Sequence, residues 1–168
     1  MDILFLDAPY AGTVELCQET LDYLQEKRYK TVGLYASVQF VNQLEKVKEQ
    51  LKEHDITIIT SKADRTHVTG QLLGCDNYHN SLNLSDNEQD RIDCYLYIGD
   101  GRFHPLALVY AQKDTAEMKE IIVNDPLQKK MFLLGINDIK TILRKYKGSL
   151  LKFLSSDTIG VIHTIKPG

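Results

Sequence analysis

The stretch Ile92-Asp93-Cys94-Tyr95-Leu96-Tyr97-Ile98-Gly99-Asp100-Gly101-Arg102-Phe103-His104-Pro105 decides how the chain is read. Its first half, 92–98, is an apolar run of strand length. Its second half is a loop loosened by Gly99 and Gly101, carrying Asp100, Arg102 and His104. A short helix over 104–112 comes next, since Pro105 is tolerated in a first turn. Strand, polar loop and helix in that order form the repeating unit of open α/β folds, which place their sites at strand ends. A second loop of this kind, Gln71-Leu72-Leu73-Gly74-Cys75-Asp76, sets a thiol beside a glycine.

Working outward, Thr31–Ala36 predicts a strand, and Ser37 is a good N-cap for a helix to about Glu53. Phe40, Val41, Leu44, Val47 and Leu51 fall on one face of that helix. Asp55 then opens a strand over 56–60. Further upstream, Ile3–Leu6 reads as a buried strand broken by Asp7-Ala8-Pro9. Thr13 is placed to cap a helix through Arg28, with Val14, Cys17, Leu21 and Leu24 at helical spacing. The pattern fails over 61–90, and 77–90, with four asparagines, predicts a surface loop. Downstream, Glu120–Val123 predicts a strand stopped by Asn124-Asp125-Pro126. Asn137–Lys147 predicts a helix ended by Gly148, with Ile139, Ile142, Leu143 and Tyr146 inward. A last strand is expected over 159–165, and its place at the chain end suggests a continuation. Together these elements predict an open parallel sheet with helices on both faces.

The bulk properties narrow the function. A chain of 168 residues, 43% hydrophobic and 26% charged, has ordinary globular composition. At this length it buries enough surface to fold without disulfides or structural metal. A net charge of −3 gives no global basic field, so direct nucleic-acid binding is not expected. No apolar run is long enough for a membrane span. The opening residues predict no signal peptide, and the odd count of 3 cysteines predicts no disulfide framework. Cytoplasmic residence is the expectation.

Two readings of Cys75 stand open: a surface thiol, or a metal or cluster ligand freed by Gly74. Cys17, on the face of Leu21 and Leu24, and Cys94, inside a strand, read as core residues. No C-x-x-C is present, and one cysteine holds neither a zinc ion nor a cluster alone. The G-D-G-R-F-H-P loop is too short for a dinucleotide fingerprint. It either binds an anion through Arg102 and backbone N–H groups or forms a turn in which Asp100 caps and pairs with Arg102. Gln39 lies just past the strand end at Ser37-Val38, where capping and ligand contact both fit. His54, His67, His79 and His163 show no ligand spacing, and Lys140, Arg144, Lys145 and Lys147 read as a solvated helix face.

Several segments occur in a fixed order: Ser37-Val38-Gln39-Phe40-Val41, Gly70-Gln71-Leu72-Leu73-Gly74-Cys75, Tyr97 to Pro105, Asn124-Asp125-Pro126 and Gly160-Val161-Ile162. In content and spacing they resemble the diphthamide-synthesis enzymes, the 2-(3-amino-3-carboxypropyl)histidine synthases of archaea and eukaryotes. The resemblance implies a protein of three similar α/β domains, each giving one cysteine to a 4Fe–4S cluster. Such enzymes use the cluster and S-adenosylmethionine to transfer a 3-amino-3-carboxypropyl group to a histidine of translation elongation factor 2, through a radical. It implies that Cys75 is the middle domain's cluster ligand and that Gln39, Asp100, Arg102 and His104 line the cofactor pocket. It places residues 1–133 in the middle domain and 134–168 at the opening of the next. Two of the family's cysteine positions have no counterpart here, and neither Cys17 nor Cys94 matches one. The expected partners are therefore elongation factor 2 and further synthase domains or subunits, in a homo- or heterodimer. The alternative from a different class is a non-catalytic α/β module, a fragment or degenerate relative that binds a ligand or a protein.

Overall fold

The five residues of β3, Cys94–Ile98, are all buried, which marks a strand covered on both faces. In a computed structural model that describes residues 10–78 and 80–163, β3 is the centre of a five-stranded sheet. It pairs in parallel with β1, Thr31–Ala36, from Val32 opposite Cys94 to Ala36 opposite Ile98. It pairs in parallel on its other side with β4, Ile121–Asp125. The short β2, Thr57–Ile59, extends the sheet beyond β1. The far edge is β5, Lys130–Leu134, antiparallel to β4. The order is thus β2-β1-β3-β4-β5, parallel but for one edge.

The β4–β5 hairpin corrects the expectation that 124–126 merely stops a strand. The Asp125 carboxylate accepts from the Leu127 and Gln128 N–H groups at 2.8 and 3.0 Å, and Lys129 takes φ 53°. That local carboxylate-to-backbone turn sends the chain back along β4.

Two apolar layers cover the sheet. On one face, α1 (Gln18–Glu26) and α2 (Glu45–Glu53) bring Leu21, Leu24, Val47 and Leu51 against Val32, Leu34, Leu96 and Ile122. On the other, α4 (Leu106–Ala111) and the first half of α5 (Ile136–Leu154) bring Leu108, Ile139 and Leu143 against Tyr35, Tyr97 and Val123. Each such side chain contributes about 1.5–3 kcal/mol by leaving water. The predicted two-faced α/β architecture holds.

Several boundaries differ from the sequence expectations. Thr13 does not cap α1, which begins after Cys17. The Leu16 N–H donates to Gln50 Oε1 at 2.8 Å and the Cys17 N–H to Asn124 Oδ1 at 2.9 Å, so tertiary bonds hold this segment out of the helix. Cys17 is accordingly half-buried at the cap, not a core residue on a helix face. Ser37 does not open a continuous helix: a 3₁₀ turn, Val41–Gln43, intervenes before α2. Within the expected 77–90 loop, Ser85 and Glu88 form a reciprocal capping box that starts a short helix, α3, Asp86–Arg91. Helix α5 runs through Gly148 to Leu154. No strand forms over 159–163, and residues 164–165, like the expected strand at 3–6, lie outside the described residues.

The faces that the connecting helices cover mark the edge at which open α/β folds place their sites. The link from β1 to β2 packs α2 on one face, and the link from β3 to β4 packs α4 on the other. Neighbouring strands β1 and β3 thus send their chains to opposite sides, which opens a crevice at their carboxyl ends.

Candidate functional site

The edge at the ends of β1 and β3 is assembled from three loops. The Ser37 N–H donates to the Ile98 carbonyl at 3.0 Å, joining the ends of the two strands. Gly70–Leu72 continues the sheet beside the end of β1, past the short β2: the Ala36 N–H donates to Gly70 O at 2.7 Å and the Leu72 N–H to Ala36 O at 2.9 Å. Buried Gln71 holds the turn before it, its Oε1 accepting from the His67 and Val68 N–H groups. This pairing carries the chain to the same edge as the loop after β3.

There the two sequence-predicted loops meet. The Gly74 N–H donates to His104 Nδ1 at 2.9 Å. An imidazole that accepts at Nδ1 carries its proton, when neutral, on Nε2. The Phe103 ring lies against Gly74 so closely that a Cβ there would come within 2.3 Å of it. Glycine is required for this approach, and a loop residue with φ +71°, Gly101, shapes the partner loop. Next to Gly74, Cys75 is exposed, with a free thiol.

Asp76 fixes the turn from behind. It is fully buried; its Oδ2 accepts from the Leu73 N–H at 3.2 Å, while its Oδ1 has no partner among the described residues. Its carbonyl accepts from the buried Ser81 hydroxyl at 2.8 Å. A buried carboxylate that is only half satisfied is a functional signal, and the sequence showed it only as the residue after Cys75. Arg65 is the second residue that pattern reasoning missed. Its Nη1 donates to the Cys75 carbonyl at 3.4 Å, and Cys75 is the largest influence favouring its charged form.

The other candidates are distributed around this centre. Asp100 is exposed at the tip of its loop and raises the pKa of buried Tyr97 further, after burial itself. Beneath the loop, the Tyr97 hydroxyl lies where a Gly99 Cβ would come within 2.6 Å, and among the described residues neither it nor the buried Ser37 hydroxyl makes a hydrogen bond of ordinary geometry. Gln39 is exposed just past β1, its carbonyl accepting from the Tyr10 N–H at 3.3 Å. Arg102 does not pair with Asp100 but stands 5.7 Å from the centroid of the Phe132 ring. It lines a cleft of about 440 Å³ with Leu106, Phe132, Asp138 and Ile142. The loop therefore turns its histidine to Cys75 and its arginine to β5 and α5. The larger cleft, about 580 Å³ between α3 and the end of α4, contains none of the predicted site residues.

Of the three cysteines, Cys75 is exposed, Cys17 half-buried and Cys94 buried. Burial, ahead of the charges of Asp93 and Glu120, pushes the Cys94 thiol up, so it stays protonated. The Cys17 sulfur lies 3.3 Å from Thr20 Oγ1. Among the described residues no three His, Cys, Asp or Glu side chains gather as a metal site. Among the described residues this edge therefore offers one exposed thiol, not a complete metal site.

The family model of diphthamide synthesis proteins matches residues 2–168. The chain belongs to that family. It is 28% identical over 158 residues to the 2-(3-amino-3-carboxypropyl)histidine synthase of Pyrococcus horikoshii, a match covering 94% of this chain and 41% of that protein. Its fold is similar to the crystal structure of Dph2 from Pyrococcus horikoshii with a 4Fe–4S cluster, with a TM-score of 0.57 and 27% identity over 80% of this chain and 36% of the other. A second crystal structure of that Dph2 gives a TM-score of 0.55 and 26% identity, covering 37% of its chain. The chain therefore spans about two fifths of the length of these family relatives. No helix among the described residues is long and apolar enough to cross a membrane.

Proposed function

We propose that this chain is one part of a 4Fe–4S enzyme that transfers a 3-amino-3-carboxypropyl group from S-adenosylmethionine to a histidine of translation elongation factor 2, in diphthamide synthesis. The observation that carries this reading is the junction of the two loops: the Gly74 N–H on His104 Nδ1 sets the exposed Cys75 thiol beside the loop after β3. Cys75 is the chain's one iron ligand, and the bound cluster supplies the radical chemistry on S-adenosylmethionine. His104 orients the Cys75 turn through the backbone. Gln39 and Asp100, exposed at the ends of β1 and β3, face the cofactor, where Asp100 suits its ammonium group. Arg102 suits its carboxylate if the side chain leaves Phe132.

The remaining cluster ligands come from other domains or subunits. Residues 1–133 form the middle-type domain, and 134–168 lead into the next. In support, Ile139 and Leu143 dock the start of α5, whereas Leu150, Leu151, Phe153 and Leu154 stay exposed on its second half, as surface that further polypeptide would cover. Elongation factor 2 as substrate implies a cytoplasmic site of action.

The test is transfer of label. The chain, co-purified with its associated polypeptides, is incubated anaerobically with reductant, elongation factor 2 and S-adenosylmethionine labelled in the aminocarboxypropyl group. Label on a histidine of elongation factor 2, reduced to background by Cys75→Ala, is the expected result. Undiminished labelling by the variant contradicts the role of Cys75.

A further inference from the structure

An exposed arginine is usually free to wander, and its ion pairs then contribute little. Arg65 is exposed but held. Its guanidinium stacks 5.1 Å from the centroid of the Tyr78 ring. The Tyr78 hydroxyl donates to Asp64 Oδ2 at 2.8 Å, so the ring beneath the arginine is itself fixed. The other oxygen, Asp64 Oδ1, accepts from Asn83 Nδ2 at 2.7 Å, and the same amide donates to the Lys62 carbonyl at 3.0 Å. Four side chains from three turns thus form one scaffold, and its outward end is the Arg65 Nη1 that donates to the Cys75 carbonyl. Nothing else in this scaffold gives Arg65 its own carboxylate: Asp64 is occupied by Tyr78 and Asn83.

We propose that Arg65 is a positioning residue for Cys75, which clamps the backbone of the Gly74-Cys75 turn and holds a fixed positive charge beside the sulfur. The inference rests on the reading of Cys75 as an iron ligand and deepens it. A cation fixed there draws anions to the Cys75 turn and would favour the more reduced state of a metal group bound at it. Arginine suits the task because its planar group lies on Tyr78 while its in-plane N–H groups donate to the carbonyl.

The test uses the full metal-free chain, with the Cys75 peptide tracked by mass spectrometry. Alkylation rates are measured with neutral iodoacetamide and with anionic iodoacetate. Both reagents meet the same thiolate, so the ratio of their rates reports the local charge and not the fraction ionised. Arg65→Gln is expected to lower the iodoacetate-to-iodoacetamide ratio about three- to fivefold. Arg65→Lys restores part of it, and Tyr78→Phe, which frees the ring from Asp64, lowers it less. In the unaltered chain, raising the salt concentration lowers the ratio as well. A ratio unchanged in Arg65→Gln, or insensitive to salt in the unaltered chain, overturns the proposal. The two readings fail separately: a ratio that falls while Cys75→Ala keeps its iron refutes the ligand, and a ratio that stays while the iron is lost refutes Arg65.

Discussion

The two ends of the sheet use polar side chains for opposite purposes. At the amino ends of the strands, Asp93 Oδ2 accepts from the Lys30 and Thr31 N–H groups at 2.7 and 2.8 Å. There Glu120 Oε2 accepts from both the Tyr23 and Tyr29 hydroxyls, each at 2.8 Å, and so bolts α1 and the turn after it to β4. At the carboxyl ends, the Ser37 and Tyr97 hydroxyls and Asp76 Oδ1 are buried and, among the described residues, make no hydrogen bond of ordinary geometry, and Cys75 is exposed with a free thiol. Satisfied groups at one end and unsatisfied ones at the other are what a sheet shows when one edge stabilises and the other binds. The rule is not absolute: among the described residues the Tyr95 hydroxyl is also buried and unpartnered away from the site, and Asn124 and Asp125 at the carboxyl end of β4 are hydrogen-bonded.

The largest effects are expected at the amino end. Glu120→Ala removes the shared acceptor of two phenols and is expected to cost about 2–3 kcal/mol, read from urea denaturation. The same contacts set an alkaline limit. Burial, then the Glu120 hydrogen bond, raises the pKa of Tyr23 and Tyr29, and burial raises Tyr35 to about 12. A raised tyrosine pKa gives stability that is complete below the unfolded value of about 10 and is lost as pH rises through the folded one. Melting temperatures are therefore expected to hold up to about pH 10 and fall steeply above it. A flat profile across that range would break the assignment of these tyrosines to stability.

Changes at the carboxyl end are expected to move stability less and function more. His104→Ala deletes the acceptor of the Gly74 N–H and is expected to cost about 1 kcal/mol. Its sharper sign is faster amide exchange at Gly74 and Cys75. Gly74→Ala meets the Phe103 ring, but that ring is 65% exposed and swings away, so stability changes by about 1 kcal/mol or less. The separation of the loops is expected to appear as lower iron retention. Smallest in stability is Cys75→Ser, within about 0.5 kcal/mol for a surface site. A comparable loss at Cys75 and Glu120 would erase the contrast between the two ends.

The β3 unit is legible in the sequence because strand, loop and helix each have a local signal: Cys94–Ile98 is unbroken and apolar, and Gly99, Gly101 and Pro105 punctuate the loop and the start of the helix. The two loops can be nominated from their residue types. Their contact cannot, because Gly74 and His104 are 30 residues apart and joined only by the tertiary fold. Tertiary bonds also defeat the cap at Thr13: Gln50 and Asn124 lie far along the chain and claim the N–H groups of Leu16 and Cys17. Helix α3 has no apolar stripe, and its one local signal is the capping box Ser85-Asp86-Asn87-Glu88, easily lost in a polar stretch that otherwise reads as loop. Gly148 lacks the power to stop α5 because good helix formers resume after it, at Leu150, Leu151 and Lys152. Arg65 and Asp76 carry no motif of their own, and their importance lies only in the groups they touch.

Whether the carboxyl edge holds iron through Cys75 is the central question. The most direct measurement is the iron and sulfide content, with the visible absorbance, of the chain reconstituted anaerobically with its associated polypeptides, as itself and as Cys75→Ala. The expected result is brown charge-transfer absorbance that Cys75→Ala loses together with its iron, while the variant melts where the unaltered chain does. Iron and absorbance undiminished in Cys75→Ala would contradict the role assigned to this edge.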